Sequence, residues 1–183
     1  EVPPEHGERL VIRMDPGSAF GTGSHPTTRL CLEALEQAPP VEALVADLGC
    51  GSGVLGLAAL GLGATAVVAA DTDSLAVRAT GDNRELNGRS GDQLKVSLGS
   101  VEALQELLEG RRADLLLCNI LAPVIEALAP GFDSLVAPEG RALLSGLLVD
   151  QAPRLEQVLG DLGWRVTARG SQGRWGLLEI RRR

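Results

Sequence analysis

The sequence predicts an α/β fold: a parallel sheet covered by helices on both faces, ending in an antiparallel hairpin. Three observations predict it. From residue 44 onward, short apolar runs alternate with segments of helical length and pattern, as in strands joined by crossover helices. The runs 44–48 and 64–70 are apolar enough to read as strands buried on both faces. The last two runs, 165–168 and 175–180, follow each other with no room for a helix, so they pair as a hairpin.

Residues 8–14 alternate loosely and read as a short strand, and 15–25, rich in Gly and Ser, as a loop. Pro26 suits the first turn of a helix reaching about Gln37, with Leu30, Leu32 and Leu35 on its buried side. Pro39 and Pro40 stop it. The strand at 44–48 runs into a glycine loop, followed by a helix over 54–62 that Gly63 closes and a strand over 64–70. Asp73 or Ser74 caps a helix to about Leu86, ended by Asn87-Gly88. Strands are expected at 94–98, 113–118 and 141–145, and helices at 123–128 and 151–162, the last stopped by Gly163.

The 183 residues suit one domain, and 44% apolar content excludes a disordered chain. Aromatics make up only 2%: Phe20, Phe132, Trp164 and Trp175. The core must therefore be aliphatic, and a stacking platform for single-stranded nucleic acid is not expected. The net charge of −7 is a poor match to a phosphate backbone and a better one to a basic protein or a small neutral ligand. Cys31, Cys50 and Cys118 have no metal-ligand spacing and read as small buried hydrophobes, reduced in a cytoplasmic protein. Residues 48–70 carry no charge, but the six glycines among them argue for a loop, a helix and a strand rather than a membrane span. The chain begins with Glu1 rather than Met and is expected to be part of a longer protein.

The chemistry gathers in four places. In Asp47-Leu48-Gly49-Cys50-Gly51-Ser52-Gly53, glycines between a buried strand and a helix let the backbone turn sharply and approach a ligand. The helix N-terminus favours the ligand's negative end, which in S-adenosylmethionine is the amino acid carboxylate. Asp47 can receive a cationic ammonium or order the loop. Asp71, 22 residues after Gly49, can accept from both hydroxyls of an adenosine ribose. Asn119 ends the strand 113–118, where ligands of parallel sheets bind, and its amide oxygen can accept from a substrate amine. The long glycine-rich segment 15–28 can cover a cofactor, with Phe20 stacking on a ligand and Thr28 bonding one at the helix start. His25 reads as structural rather than catalytic. Adenine is expected near Gly99, Ser100 and Val101, from fold geometry alone.

The runs DPGSAFGTGSHPTT (15–28), DLGCGSG (47–53), DTD (71–73) and CNILA (118–122) together resemble the PrmA family of ribosomal protein methyltransferases, over roughly residues 13–180. The first run is the specific one; the glycine motif is common to most methyltransferases of this fold. The resemblance implies a seven-stranded, Rossmann-like S-adenosylmethionine-dependent methyltransferase sheet with the last strand antiparallel. It implies methyl transfer to lysine side chains and the N-terminus of ribosomal protein L11; the composition read above adds a cytoplasmic location, no membrane or direct nucleic-acid partner and no metal. Cofactor contacts fall on Thr28, Gly49, Asp71 and Asn119, with Phe20, Thr22 and Gly51 beside them in the cleft, and Asn119 also serves catalysis. The family's N-terminal substrate-recognition domain has no counterpart here, so 1–183 is expected to be the catalytic domain alone. Ser18 and Ser24 depart from residues common in the family.

Other readings compete. One is a methyltransferase of the same fold acting on another protein, a small molecule or nucleic acid; Asn-Ile-Leu-Ala lacks the prolines and aromatic of the nucleic-acid and glutamine modifiers. Another is an NAD-dependent oxidoreductase, opposed by a third glycine, Gly53, one residue earlier than G-x-G-x-x-G requires. The last is a non-catalytic module that binds an adenosine ligand.

Overall fold

The computed structural model describes residues 9–15 and 23–183. Among these, seven strands form one sheet: β1 (Leu44–Leu48), β2 (Ala66–Asp71), β3 (Leu94–Leu98), β4 (Ala113–Asn119), β5 (Val136–Leu148), β6 (Trp164–Gln172) and β7 (Trp175–Arg182). Their order is β3-β2-β1-β4-β5-β7-β6. The first five pair in parallel, and β7 runs antiparallel to both β5 and β6. The chain steps outward from β1 to β3, then returns to place β4 on the other side of β1. That reversal opens a crevice at the carboxyl ends of β1 and β4.

The helices are α1 (Pro26–Gln37), α2 (Val54–Gly61), α3 (Ser74–Leu86), α4 (Val101–Leu108), α5 (Ala122–Leu128), the single turn α6 (Phe132–Leu135) and α7 (Ala152–Asp161). Residues of α1 and α2 pack on one face of the sheet, together with Val45, Val67 and Leu115. Residues of α4 to α7 pack on the other, together with Ala46, Val68, Leu116 and Trp164. Alternation along β1, β2 and β4 thus feeds both cores, as a strand buried on two faces must. Each buried Leu in these layers contributes about 1.5–3 kcal/mol. The three cysteines are buried and free. Among the described residues, no helix is long and apolar enough to cross a membrane.

The structure corrects the element reading in places. Residues 9–15 form no strand; Glu8 lies outside the described residues. Their backbone pairs with side chains of α3 and its cap instead. Arg13 N–H donates to Asn87 Oδ1 at 2.8 Å, Asn87 Nδ2 donates back to Arg13 O at 2.7 Å, and Asp15 N–H donates to Asn83 Oδ1 at 2.9 Å. These amides satisfy backbone groups that a neighbouring strand would otherwise take. Helix α4 was not expected, although Val101, Leu104 and Leu108 bury one helical face. The strand expected over 141–145 is the centre of the much longer β5. The terminal hairpin is as predicted.

Candidate functional site

The glycine loop is fixed by hydrogen bonds to its surroundings. As β1 ends, Gly49 and Cys50 N–H both donate to Ala70 O, at 2.8 and 3.1 Å. Gly51 N–H donates to Asp71 Oδ2 at 2.9 Å, and Gly53 N–H to Cys50 O at 2.8 Å. From α3, Thr80 Oγ1 donates to Gly51 O at 3.1 Å and Asn83 Nδ2 to Ser52 O at 2.9 Å. Four loop amides are therefore spent within the protein. The loop offers a ligand its shape more than its N–H groups.

Asp71 ends β2 beside this loop. Its second oxygen accepts from Asp73 N–H at 2.9 Å. A carboxylate has about four acceptor positions, so two remain after these two backbone bonds. Asp73, not Asp71, caps α3, through Leu75 N–H at 2.8 Å.

Asp47 lies deeper. It is only 1% exposed, and its Oδ2 accepts from Gly56 N–H of α2 at 3.2 Å. Burial pushes its carboxyl up to about 7, against the pull of the Gly56 bond and with a further push from Asp71. The structure does not bring Asp47 to the cleft wall. Of the two roles expected for it, ordering the loop is the one this geometry supports.

On the opposite side, Asn119 ends β4, and its Nδ2 donates to Thr28 Oγ1 of α1 at 3.4 Å. Its Oδ1 is thereby left to accept from an incoming donor. Thr28 is buried at 1% exposure and is not among the cleft-lining residues; it reaches the site through Asn119, and its neighbour Thr27 forms the wall. His25 caps α1, its Nδ1 accepting from Thr27 N–H at 3.3 Å, and its ring meets Trp175 edge-on with centroids 4.9 Å apart.

These elements enclose a cleft of about 540 Å³. Gly49, Gly51 and Asp71 form one wall; Asn119, Ile120, Leu121 and Val124 form another; His25, Thr27, Gly146 and Trp175 complete it. Of the residues predicted from sequence, Gly49, Gly51, Asp71 and Asn119 meet here. Phe20 and Thr22 lie outside the described residues. Gly99 N–H donates to Asp71 O at 2.9 Å, so the end of β3 is adjacent, but residues 99–101 do not line the cleft. Sequence reasoning missed Ile120, Gly146 and Trp175. Signals existed for two of them: an isolated glycine within a strand marks a close approach, and Trp175 is a rare aromatic at the start of an apolar run.

Known proteins share this chain's sequence and fold. The family model described as Ribosomal protein L11 methyltransferase (PrmA) matches residues 1–183. The chain belongs to the ribosomal protein L11 methyltransferase (PrmA) family. A ribosomal protein L11 methyltransferase from Parasynechococcus marenigrum (strain WH8102) is 94% identical over all 183 residues, which cover 63% of that relative. The chain thus spans under two thirds of the length of this PrmA relative. The crystal structure of a ribosomal protein L11 methylase from Lactobacillus delbrueckii subsp. bulgaricus superposes with a TM-score of 0.89 at 34% identity, covering 100% of this chain and 91% of that one. SMU.776, solved in complex with SAH, shares this chain's fold, with a TM-score of 0.70 at 11% identity over 84% of this chain and 49% of that one.

Proposed function

We propose that residues 1–183 form the catalytic unit of a cytoplasmic, S-adenosylmethionine-dependent methyltransferase that modifies amino groups of ribosomal protein L11, at lysine side chains and the N-terminus. The observation that carries this is the convergence of Gly49, Gly51, Asp71 and Asn119 on one cleft at the reversal of strand order. Membership of the PrmA family supports this choice of substrate.

The cleft suits the cofactor. Its volume is within the range of sites for small organic ligands. Gly49 and Gly51 leave the floor without side chains, and the two remaining acceptor positions of Asp71 match a pair of ribose hydroxyls. When bound, S-adenosylmethionine supplies an electrophilic methyl group on a sulfonium. Phe20 and Thr22, which the resemblance adds to this cleft, stay part of the proposal.

The chain's own residues do the rest by placement. A lysine amine, with a reference pKa of about 10.4, attacks only after losing its proton. Ile120, Leu121 and Val124 give the acceptor an apolar wall, which disfavours the ammonium form. The released proton passes to solvent. Asn119 Oδ1 accepts an N–H of the neutral amine and aligns its lone pair with the methyl group, an in-line arrangement that needs no strong base.

Intact mass of purified ribosomal protein L11 after incubation with the chain and S-adenosylmethionine tests the reading. Whole-methyl increments that require the cofactor are expected. Cofactor binding with no increment, even after an N-terminal recognition domain is supplied, would overturn the substrate assignment.

A further inference from the structure

The tip of β4 is held from three sides. From α1, Thr28 Oγ1 takes the Asn119 amide nitrogen at 3.4 Å. From the glycine loop, Gly49 lies so close to Ile120 that a Cβ there would overlap Ile120 Cγ2. From β5, Gly146 sits where the pairing with β7 shifts register, between Ser145 and Leu147. A Cβ at Gly146 would overlap the backbone nitrogen, carbonyl carbon and oxygen of Ile120.

The two glycines differ in what they make room for. At Gly49 the obstacle is the end of a side chain, which can rotate or be truncated. At Gly146 it is the backbone of the residue after Asn119, which no rotamer change can clear. Gly146 also has φ +84°, a conformation that L side chains rarely adopt. The register shift aims Gly146 out of the regular ladder and into the cleft wall.

We propose that Gly146 is a positioning residue for methyl transfer. Its missing side chain seats the Ile120 backbone on β5, and that seat fixes where the Asn119 amide meets the acceptor nitrogen. Ile120 completes the device by packing over Gly49. The proposal rests on the methyltransferase reading above, and it separates alignment of the acceptor from binding of the cofactor. Gly51 and Asp71 do not take part in this contact.

The test compares Gly146→Ala and Ile120→Ala with the parent chain. Cofactor affinity is measured by calorimetry, kcat and KM on ribosomal protein L11, and the position of the Asn119 side-chain amide by its ¹H–¹⁵N signal. In Gly146→Ala, kcat is expected to fall about a hundredfold, the cost of a misplacement near 1 Å, while cofactor Kd stays within about threefold. The Asn119 signal is expected to move and the Gly51 backbone amide signal to stay. In Ile120→Ala, which removes only the side-chain half of the seat, kcat is expected to fall about tenfold with cofactor Kd kept. Parental kcat with an unmoved Asn119 signal in Gly146→Ala overturns the proposal. Cofactor affinity falling as far as kcat also overturns it, because a generally loosened fold gives that result. Should Gly146→Ala fail to fold, unchanged kcat in Ile120→Ala overturns it. A parent chain that methylates nothing even with an N-terminal recognition domain supplied sinks the substrate reading instead, and the Asn119 signal still reports whether Gly146 places the tip of β4.

Discussion

The two walls of the cleft are built by different means. The wall of Gly49, Gly51 and Asp71 is laced by hydrogen bonds: Ala70 O, both Asp71 oxygens, Thr80 and Asn83 all take part. Among the described residues, the wall of Asn119, Ile120, Leu121 and Val124 has one long side-chain bond, to Thr28, and a backbone bond within itself, Val124 N–H to Leu121 O at 2.9 Å, and it is shaped besides by contact with Gly49 and Gly146. Hydrogen bonds fix a surface before a ligand arrives, which favours binding. Contacts set clearances, which govern how two reacting atoms meet. Damage to the first wall should therefore appear in affinity, and damage to the second in turnover.

Four changes would break or sharpen that contrast. The largest effect is expected beneath the first wall, at Asp47. Its unfolded carboxyl ionises near 3.8, whereas the folded one, raised by burial, keeps its proton to about 7. Between these values the folded state binds more protons than the unfolded state. The Asp47 contribution to stability is thus greatest below about pH 4 and falls by about 4 kcal/mol as pH rises to about 7. Asp47→Asn should lose this slope in denaturant unfolding followed across that window; a slope equal to the parent's would remove Asp47 from the account.

Next comes Asp71→Ala, which orphans the Gly51 and Asp73 amides and removes the acceptors proposed for the ribose. Calorimetry should show cofactor binding weakened by about 3 kcal/mol, or more than a hundredfold. Unchanged affinity would break the first half of the comparison. Asn119→Ala should lower kcat by about 2 kcal/mol in barrier, some thirtyfold, and weaken cofactor binding by much less than Asp71→Ala does. Affinity and turnover falling together would show that the walls are not functionally distinct. The smallest effect belongs to Leu121, 64% exposed at the rim. Leu121→Ser should change stability by no more than about 0.5 kcal/mol, and any change in kinetics should fall on the acceptor KM.

The same contrast explains what could be read without coordinates. The first wall is local: a strand, three glycines and a helix, then Asp71 at the next strand end, so spacing alone located it. The parallel strands and the final hairpin were legible for a similar reason, since each is announced by a short apolar run. The rest of the cleft is assembled from distant segments. His25 and Trp175 touch although 150 positions separate them, and Gly146 matters because of Ile120, just past the end of β4. No periodicity encodes such a meeting. Residues 9–15 mislead in the opposite sense, because an alternating run needs a partner strand, and Asn83 and Asn87 occupy that place.

The position of β7 has a consequence for the order in which the molecule comes into being. This strand is inserted between β5 and β6 although it follows both in the chain. A nascent chain that has emerged only as far as Gln172 already contains the glycine loop, Asp71 and Asn119, but the flank of β5 is bare and Trp175 is missing from the cleft. The wall proposed to hold the adenosine end can thus form during synthesis, while the side proposed for the acceptor waits for β7 to slide into its slot.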